Sequence, residues 1–185
     1  MSGSIRGLCA IPALSILTIA LSPLARADAV RVTYGYGEDV DLYALILQLD
    51  RASPLHQYGA WELTSHFDLG VGEFQGHRGS TASHNTTRAL AGIGTLRWQQ
   101  KVSTPVAPFI EFGVGLGGFS ETTIGGTRHL GGGFEFTEIL RTGVRFGPHG
   151  QYEFAVAGQH FSNAGLFPPN EGITYASASL AWYFR

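Results

Sequence analysis

A regular alternation of apolar and other side chains recurs along most of this chain, and it limits the possible folds more than any other feature. The clearest stretch covers residues 61–71, where the odd positions are apolar except for Ser65: Trp61, Leu63, Phe67, Leu69 and Val71. The even positions carry Glu62, Thr64, His66 and Asp68. Because successive side chains of a β-strand point to opposite faces, this period of two indicates a strand with one apolar face.

The same pattern predicts eight strands, over residues 30–37, 42–50, 58–72, 87–99, 106–118, 133–147, 150–163 and 172–184. No convincing helical pattern remains. The connections 51–57, 100–105 and 147–150 are short, whereas 73–86, 119–132 and 163–171 are longer and rich in Gly, Ser, Thr and Asn. Short turns at one end and long loops at the other are typical of bacterial outer-membrane proteins. We therefore predict an all-β fold, an eight-stranded antiparallel transmembrane β-barrel.

A soluble eight-stranded barrel would alternate as well, so the polarity of both faces matters. The second face carries Glu62, His66, Asp68, Arg97, Glu111, Glu135, Arg141, Arg145 and Glu153, which suits either a polar lumen or a solvent surface. Aromatic residues near strand ends favour the membrane barrel, since such girdles lie at lipid–water interfaces. The predicted girdle contains Trp61, Trp98, Phe109, Phe112, Trp182, Tyr183 and Phe184. At this strand number side chains fill the interior, which excludes a wide pore.

The first 27 residues have the form of a secretory signal peptide. Arg6 precedes an apolar core, Leu8–Leu21, and Ala25-Arg26-Ala27 forms a cleavage site, so we predict removal of residues 1–27. The alternative is an uncleaved anchor helix, which Pro12 and Pro23 disfavour. The mature chain, 28–185, is then one barrel domain without cysteine. Lys101 is its only lysine, so the chain has no basic patch for nucleic acid.

The seventh predicted strand departs from the pattern at its end. Its apolar face continues from Gly158 to His160 and Ser162. If both termini are periplasmic, this end of the strand reaches the cell surface and the pair faces lipid. Residues i and i+2 on one face are about 6.5–7 Å apart, so an imidazole can lean towards a hydroxyl. The pair predicts a Ser nucleophile with a His base, or simply marks the entry into the headgroup zone.

Residues 160–172, HFSNAGLFPPNEG, resemble the H-x-S-N-A-G and P-N-x-G signature of the lipid A 3-O-deacylase (PagL-type) family, and PFIEFGVG at 108–115 resembles its middle strand. The resemblance implies an outer-membrane esterase whose active site faces the outer leaflet. It implies removal of the 3-hydroxyacyl chain at the 3-position of lipid A, with His160 as base and Ser162 as nucleophile. Lipid A, or lipopolysaccharide, is then the substrate and outer-membrane lipids the surroundings. We expect no cofactor and no metal, and a homodimer stays open.

One position departs from the family pattern. The family has an acidic residue two positions after the last glycine of the signature, and Thr174 occupies that position here. The protein is then inactive, a slower dyad, or an enzyme with another acid. Strand pairing through residues 147–150 places Glu138 opposite His160 or one diagonal step away, on the lipid-facing side. We predict that Glu138 orients or charges His160, with Glu171 in the following loop as the alternative acid.

Hydrogen-bond donors beside Ser162 are needed for an oxyanion. The candidates are Asn163, Asn170 and the backbone N–H groups of Ala164 and Gly165, although ordinary turn chemistry explains both asparagines equally well. The remaining histidines have no spacing that predicts a metal site. The rival hypothesis is a non-catalytic barrel that acts in adhesion or membrane integrity through loops 73–86 and 119–132.

Overall fold

The computed structural model describes residues 27–37, 39–77, 86–103, 105–126 and 128–184. The predicted signal peptide lies outside these residues except for Ala27, and it stays a prediction. Eight long strands dominate: β1 (Ala29–Gly37), β2 (Val40–Asp50), β4 (Trp61–Gly76), β5 (Thr86–Gln100), β6 (Val106–Phe119), β9 (Phe134–Phe146), β10 (Tyr152–Ser162) and β11 (Ile173–Tyr183). Three short strands and one 3-10 turn complete the described elements: β3 (His56–Tyr58), β7 (Thr123–Ile124), β8 (Arg128–His129) and Pro148–Gly150. Within the described residues, no helix is long and apolar enough to cross a membrane.

The long strands close into a barrel. Each pairs antiparallel with the next one along the chain, and β1 pairs with both β2 and β11, as in Val32 with Leu45 and Leu180. The predicted eight-stranded antiparallel barrel is therefore confirmed. We call the end where 38–39, 77–85, 120–133 and 163–172 connect the long strands the loop end. The opposite end, with connections 51–60, 101–105 and 147–151, is the turn end.

The strand boundaries differ most from the prediction at residues 58–72. Here the structure has two elements, β3 and β4, separated by a turn in which Gly59 has φ 56°. That left-handed conformation suits glycine, which has no Cβ to collide with the backbone. Strand β4 also continues to Gly76 and stays paired with β5 as far as Gln75 and Thr86. The alternation fails to reveal this extension because its outward side chains, Glu73 and Gln75, are polar.

The two faces of the wall have opposite polarity. The outer face exposes aliphatic and aromatic side chains, whereas nearly all the charged residues predicted to share the second face are buried in the lumen: His66, Asp68, Arg97, Glu111, Glu135, Arg141, Arg145 and Glu153. This arrangement is that of a membrane barrel, since a soluble barrel has the reverse polarity. The girdle prediction was wrong for Phe109 and Tyr183, which are 3% and 1% exposed. Both have the parity of the lumen-facing residues on their strands.

The half of the lumen towards the turn end holds a network of paired charges. Three arginines, Arg31, Arg97 and Arg141, contact three acids, Asp68, Glu111 and Glu153. The Nη1 atom of Arg97 lies 2.7 Å from Glu153 Oε2, and the Nη1 atom of Arg31 lies 3.0 Å from Asp68 Oδ2. Buried charges are tolerated when they are paired and hydrogen-bonded. The network therefore fills this half of the barrel with side chains rather than with a channel.

The half towards the loop end is filled by an apolar cluster, which we call the aromatic plug. It contains Phe74, Phe119, Phe161 and Tyr175 together with Val40, Leu42, Ala89, Ile124, Leu130 and Ile173. The rings of Phe119 and Phe161 meet edge to face at 5.3 Å. Ile124 and Leu130 belong to the β6–β9 connection, which folds into the mouth of the barrel. Phe161 therefore supports β10 from inside, at the point where His160 and Ser162 face outward.

Candidate active site

The predicted pair lies on the outer wall, where three neighbouring strands align their side chains. Strand β10 runs between β9 and β11, and its register pairs His160 directly with Glu138 on β9 and with Thr174 on β11. Ser162, two residues further on, is paired with Phe136. All five side chains have outward parity. The structure thus brings His160, Ser162, Glu138 and Thr174 together on one patch at the loop end.

Two neighbours fix the ring of His160. Its Nδ1 atom lies 2.7 Å from the hydroxyl oxygen of Thr174. Gly172 packs against the opposite edge, so that a Cβ added there would lie 3.0 Å from Cε1 of the ring. With Nδ1 held by Thr174, the Nε2 atom is the one left to act as a base.

Ser162 and His160 share a face but are not hydrogen-bonded to each other within the described part of the chain. Their spacing of two residues places them about 6.5–7 Å apart along the strand, a gap that side-chain rotation closes. Hydrogen bonds of catalytic groups are commonly long without substrate and shorten when substrate binds. The arrangement therefore retains the geometry that a Ser–His pair requires.

Glu138 is an exposed carboxylate on an otherwise apolar wall. Phe136 and Leu140 flank it on β9, and Val114 is its partner on β6. In the part of the chain that the structure describes, its carboxylate makes no hydrogen bond or ion pair. A charge on a lipid-facing wall is costly, so such residues commonly have a function.

The loop that follows Ser162 is organised by Asn163, whose side chain is completely buried. Its amide nitrogen donates to the carbonyl oxygens of Leu130 and Phe167, at 2.6 and 2.8 Å. Its amide oxygen accepts from the backbone N–H of Gly165 at 2.9 Å. Ala164 and Gly165 both have positive φ, 55° and 79°, which turns the chain sharply beside the serine.

These bonds decide which of the predicted oxyanion donors are still available. Both amide hydrogens of Asn163 and the N–H of Gly165 are already engaged. Asn170 accepts the backbone N–H of Asn163 through Oδ1 at 3.1 Å, and since only its oxygen can accept, its NH₂ group is left as a donor. Among the described residues, the N–H of Ala164 also has no acceptor. Two donors therefore remain near Ser162.

A second loop braces the first. Arg128 donates to the carbonyl oxygen of Gly172 at 2.8 Å, and the N–H of Glu171 donates to the carbonyl of His129 at 3.2 Å. The carboxylate of Glu171 accepts the N–H of His129 in return. Glu171, the alternative acid, is thus occupied by the backbone of β8. Gly131 touches the same loop so closely that an added Cβ would lie 1.9 Å from the carbonyl oxygen of Phe167.

Below His160 the outer wall has a shallow depression that the sequence reasoning missed. Small residues form its floor: Gly158 and Ala176 are paired across β10 and β11, and Ala178 follows on β11. Leu140 borders it on β9, and Tyr34 and Tyr36 border it on β1. We call these six residues the outer trough. Three small residues at even positions of two neighbouring strands were the available signal.

Within the described residues, no group of three or more His, Cys, Asp or Glu side chains is placed to hold a metal ion.

Comparisons with known proteins agree with this geometry. The sequence profile of the family described as "Lipid A 3-O-deacylase (PagL)" matches residues 41–183. The lipid A deacylase PagL of Pseudomonas aeruginosa is 29% identical over 166 residues, which cover 90% of each chain. The crystal structure of the outer membrane enzyme PagL superposes with a TM-score of 0.72 at 25% identity, over 83% of this chain and 98% of the other. Because the profile spans both strands of the His160–Thr174 pair and most of the barrel, the chain belongs to the lipid A 3-O-deacylase family.

Proposed function

We propose that this protein is an outer-membrane serine esterase that hydrolyses the ester-linked 3-hydroxyacyl chain at the 3-position of lipid A. The observation that carries the proposal is the outward-facing His160–Ser162 pair on the loop-end wall, inside the family signature. A lipid substrate reaches a barrel enzyme from the bilayer, so an active site on the outer wall suits it. The loop end then lies in the outer leaflet, where lipid A is found.

In the proposed mechanism, Nε2 of His160 removes the proton of Ser162 while the serine oxygen attacks the ester carbonyl carbon. The NH₂ of Asn170 and the N–H of Ala164 stabilise the oxyanion of the tetrahedral intermediate. When that intermediate collapses, His160 gives its proton to the 3-oxygen of the sugar, which leaves as an alcohol. Water then attacks the acyl-serine ester and releases a free 3-hydroxy fatty acid. Asn163 positions this loop rather than touching the substrate, since its amide is already bonded.

The outer trough supports a long acyl chain as part of the substrate. It begins at Gly158, directly below His160, and continues past Ala176 and Ala178 towards the middle of the wall. A Cβ added at Gly158 would meet no atom within 4 Å, so the floor is open to a ligand. An acyl chain lying there would bury apolar surface while its ester stays at the headgroup level.

The test is the lipid A of cells that carry the wild-type protein or the Ser162→Ala variant, measured by mass spectrometry. We expect the wild type alone to yield lipid A that lacks one 3-hydroxyacyl chain. The folded state of each variant is checked by its heat-modifiable migration in SDS gels. Identical lipid A from both strains, with both barrels folded, would reject the esterase and favour the adhesion or membrane-integrity hypothesis.

A further inference from the structure

We propose that Glu138 supplies from β9 the negative charge that the family places at residue 174, and that Thr174 retains only the orienting role. This inference rests on the proposed function, because it assigns a positioning and a charge-stabilising residue to the same reaction. It separates two tasks that a single carboxylate usually performs, and gives them to strands on opposite sides of His160.

The acid of a Ser–His–acid site has two tasks. It accepts the hydrogen on Nδ1, which fixes the ring and its tautomer, and it stabilises the imidazolium that forms when the base takes the serine proton. Thr174 performs the first task, with its hydroxyl oxygen 2.7 Å from Nδ1. A neutral hydroxyl is a weaker partner for a cation than a carboxylate is, so the second task is unfilled on β11.

Glu138 is placed to fill it. The register pairs it directly with His160, on the side opposite Thr174, and residues paired in this way have Cα atoms about 4.5–5.5 Å apart. Its carboxylate has no other partner in the described part of the chain. The position is therefore open to an interaction with a cation that exists only during the reaction.

The surroundings make this pairing specific. We examined the outer faces of five adjacent strands, β1, β11, β10, β9 and β6, all of which the structure describes in full. Apart from tyrosines, these faces carry two side chains that can ionise, Glu138 and His160, and the register places them side by side. A chance pairing of the two is hard to reconcile with a wall that otherwise excludes charge.

The electrostatics also suit a charge that makes no hydrogen bond. An attraction across a few ångströms is weak in bulk water but several times stronger where lipid and protein replace the water. Because the imidazolium forms on the way to the transition state, the carboxylate stabilises that state more than the bound substrate. Loss of Glu138 is therefore expected in kcat and not in KM.

The experiment moves the carboxylate from one strand to the other. Wild type, Glu138→Gln, Thr174→Glu and the double variant are assayed for kcat and KM on purified lipid A in mixed micelles. We expect Glu138→Gln to lower kcat by about tenfold or more with little change in KM. The double variant, with its acid back on β11, is expected to regain a kcat within about threefold of wild type. A structural role for Glu138 would not be rescued by a carboxylate on another strand.

The matched control is Glu73→Gln, which removes another outward-facing carboxylate near the loop end, one that is paired with Arg88 instead. It is expected to leave kcat unchanged. Three results would overturn the inference: an unchanged kcat in Glu138→Gln, a loss that Thr174→Glu does not rescue, or a loss confined to 3-hydroxyacyl esters and absent with unsubstituted acyl esters. The last result would mean that Glu138 binds the hydroxyl of the substrate.

The same assays separate this inference from the proposed function. Activity that Ser162→Ala abolishes but Glu138→Gln does not affect rejects the role of Glu138 alone. A folded wild type without activity rejects both, since a carboxylate relocated to β9 should have produced an active enzyme. Activity that appears only in Thr174→Glu would show that the site is intact and that Glu138 does not replace the missing acid.

Discussion

Gly172 lies against the imidazole of His160, so close that a Cβ at residue 172 would be 3.0 Å from Cε1 and 3.5 Å from Nε2. The same Cβ would lie 2.7 Å from the carbonyl oxygen of Phe161. Gly172 also has φ 60°, a conformation that other residues rarely adopt. The glycine therefore acts as a flat support for the catalytic ring as well as a turn residue.

We expect Gly172→Ala to lower kcat by about tenfold to a hundredfold, because a small displacement of a catalytic group is costly. Gly165→Ala is the matched control: it also has positive φ, 79°, but an added Cβ there meets no atom within 4 Å. Each variant should lose about 1–2 kcal/mol of unfolding free energy from backbone strain. Equal kcat losses in the two would show that strain, and not contact with His160, is responsible.

Asn170 is tested with two substitutions, because it both accepts and donates. Asn170→Asp keeps the oxygen that binds the N–H of Asn163 but removes the NH₂ group. If that group stabilises the oxyanion, kcat should fall by about 10²-fold or more in both Asn170→Asp and Asn170→Ala. Purified variants assayed on lipid A in micelles give the answer. Full activity in the aspartate variant would leave Asn170 with a role in loop structure alone.

Asn163 is expected to matter for stability first and activity second. Replacing it with alanine leaves the carbonyls of Leu130 and Phe167 without their donor, in a buried setting, at a cost of about 2–4 kcal/mol. Urea unfolding in detergent micelles, followed by tryptophan fluorescence, measures the loss. Protease cleavage within 163–172 should become faster, since the loop loses its attachment to the β6–β9 connection. Unaltered cleavage and stability would contradict this account.

The charge network of the lumen makes a prediction about folding that is independent of catalysis. Arg97→Met leaves Glu111 and Glu153 short of a partner inside the barrel and should cost about 3–5 kcal/mol of unfolding free energy. Arg88→Met breaks an outer ion pair with Glu73, whose N–O distance is 3.5 Å and whose arginine side chain is 83% exposed. That control should change stability by less than about 1 kcal/mol. Similar losses in both variants would refute a special role for burial.

Filling the outer trough should change which esters are cleaved. Gly158→Leu places a side chain on the floor of the trough without touching His160, so hydrolysis of long acyl esters should fall at least about tenfold. Short-chain esters, which end before the trough, should react as with wild type. Gly94→Leu, at another open outward glycine on β5, is the control and should affect neither class. Parallel losses for both chain lengths would reject an acyl-binding role.

The barrel was predictable from the sequence because each strand repeats one signal, the alternation between lipid and lumen. The same signal placed His160 and Ser162 on the outer wall and limited Glu138 to a few positions near His160. It failed for Phe109, because an aromatic residue near a strand end was assigned to the girdle although its parity pointed inward. There it lies beneath the guanidinium of Arg97, at 3.9 Å from the ring centre.

The loops were less accessible to sequence reasoning, because their contacts join segments far apart in the chain. Nothing local indicates that Asn163 binds Leu130, or that Glu171 binds the backbone of His129. Thr174 is a further case. Its residue type suggests a lost acid, and only the register of β10 and β11 shows that its hydroxyl still holds His160.

Strand β10 is one residue thick, and the ring of Phe161 in the aromatic plug is inserted between the backbones of the two reacting side chains on its other side. Odd positions of the strand answer to folding and even positions to chemistry, with no side chain serving both. Selection can therefore change the ester that is recognised, or the place of an acid, without disturbing the interior. A barrel wall of this kind gives an enzyme two independently adjustable surfaces from a single segment of chain.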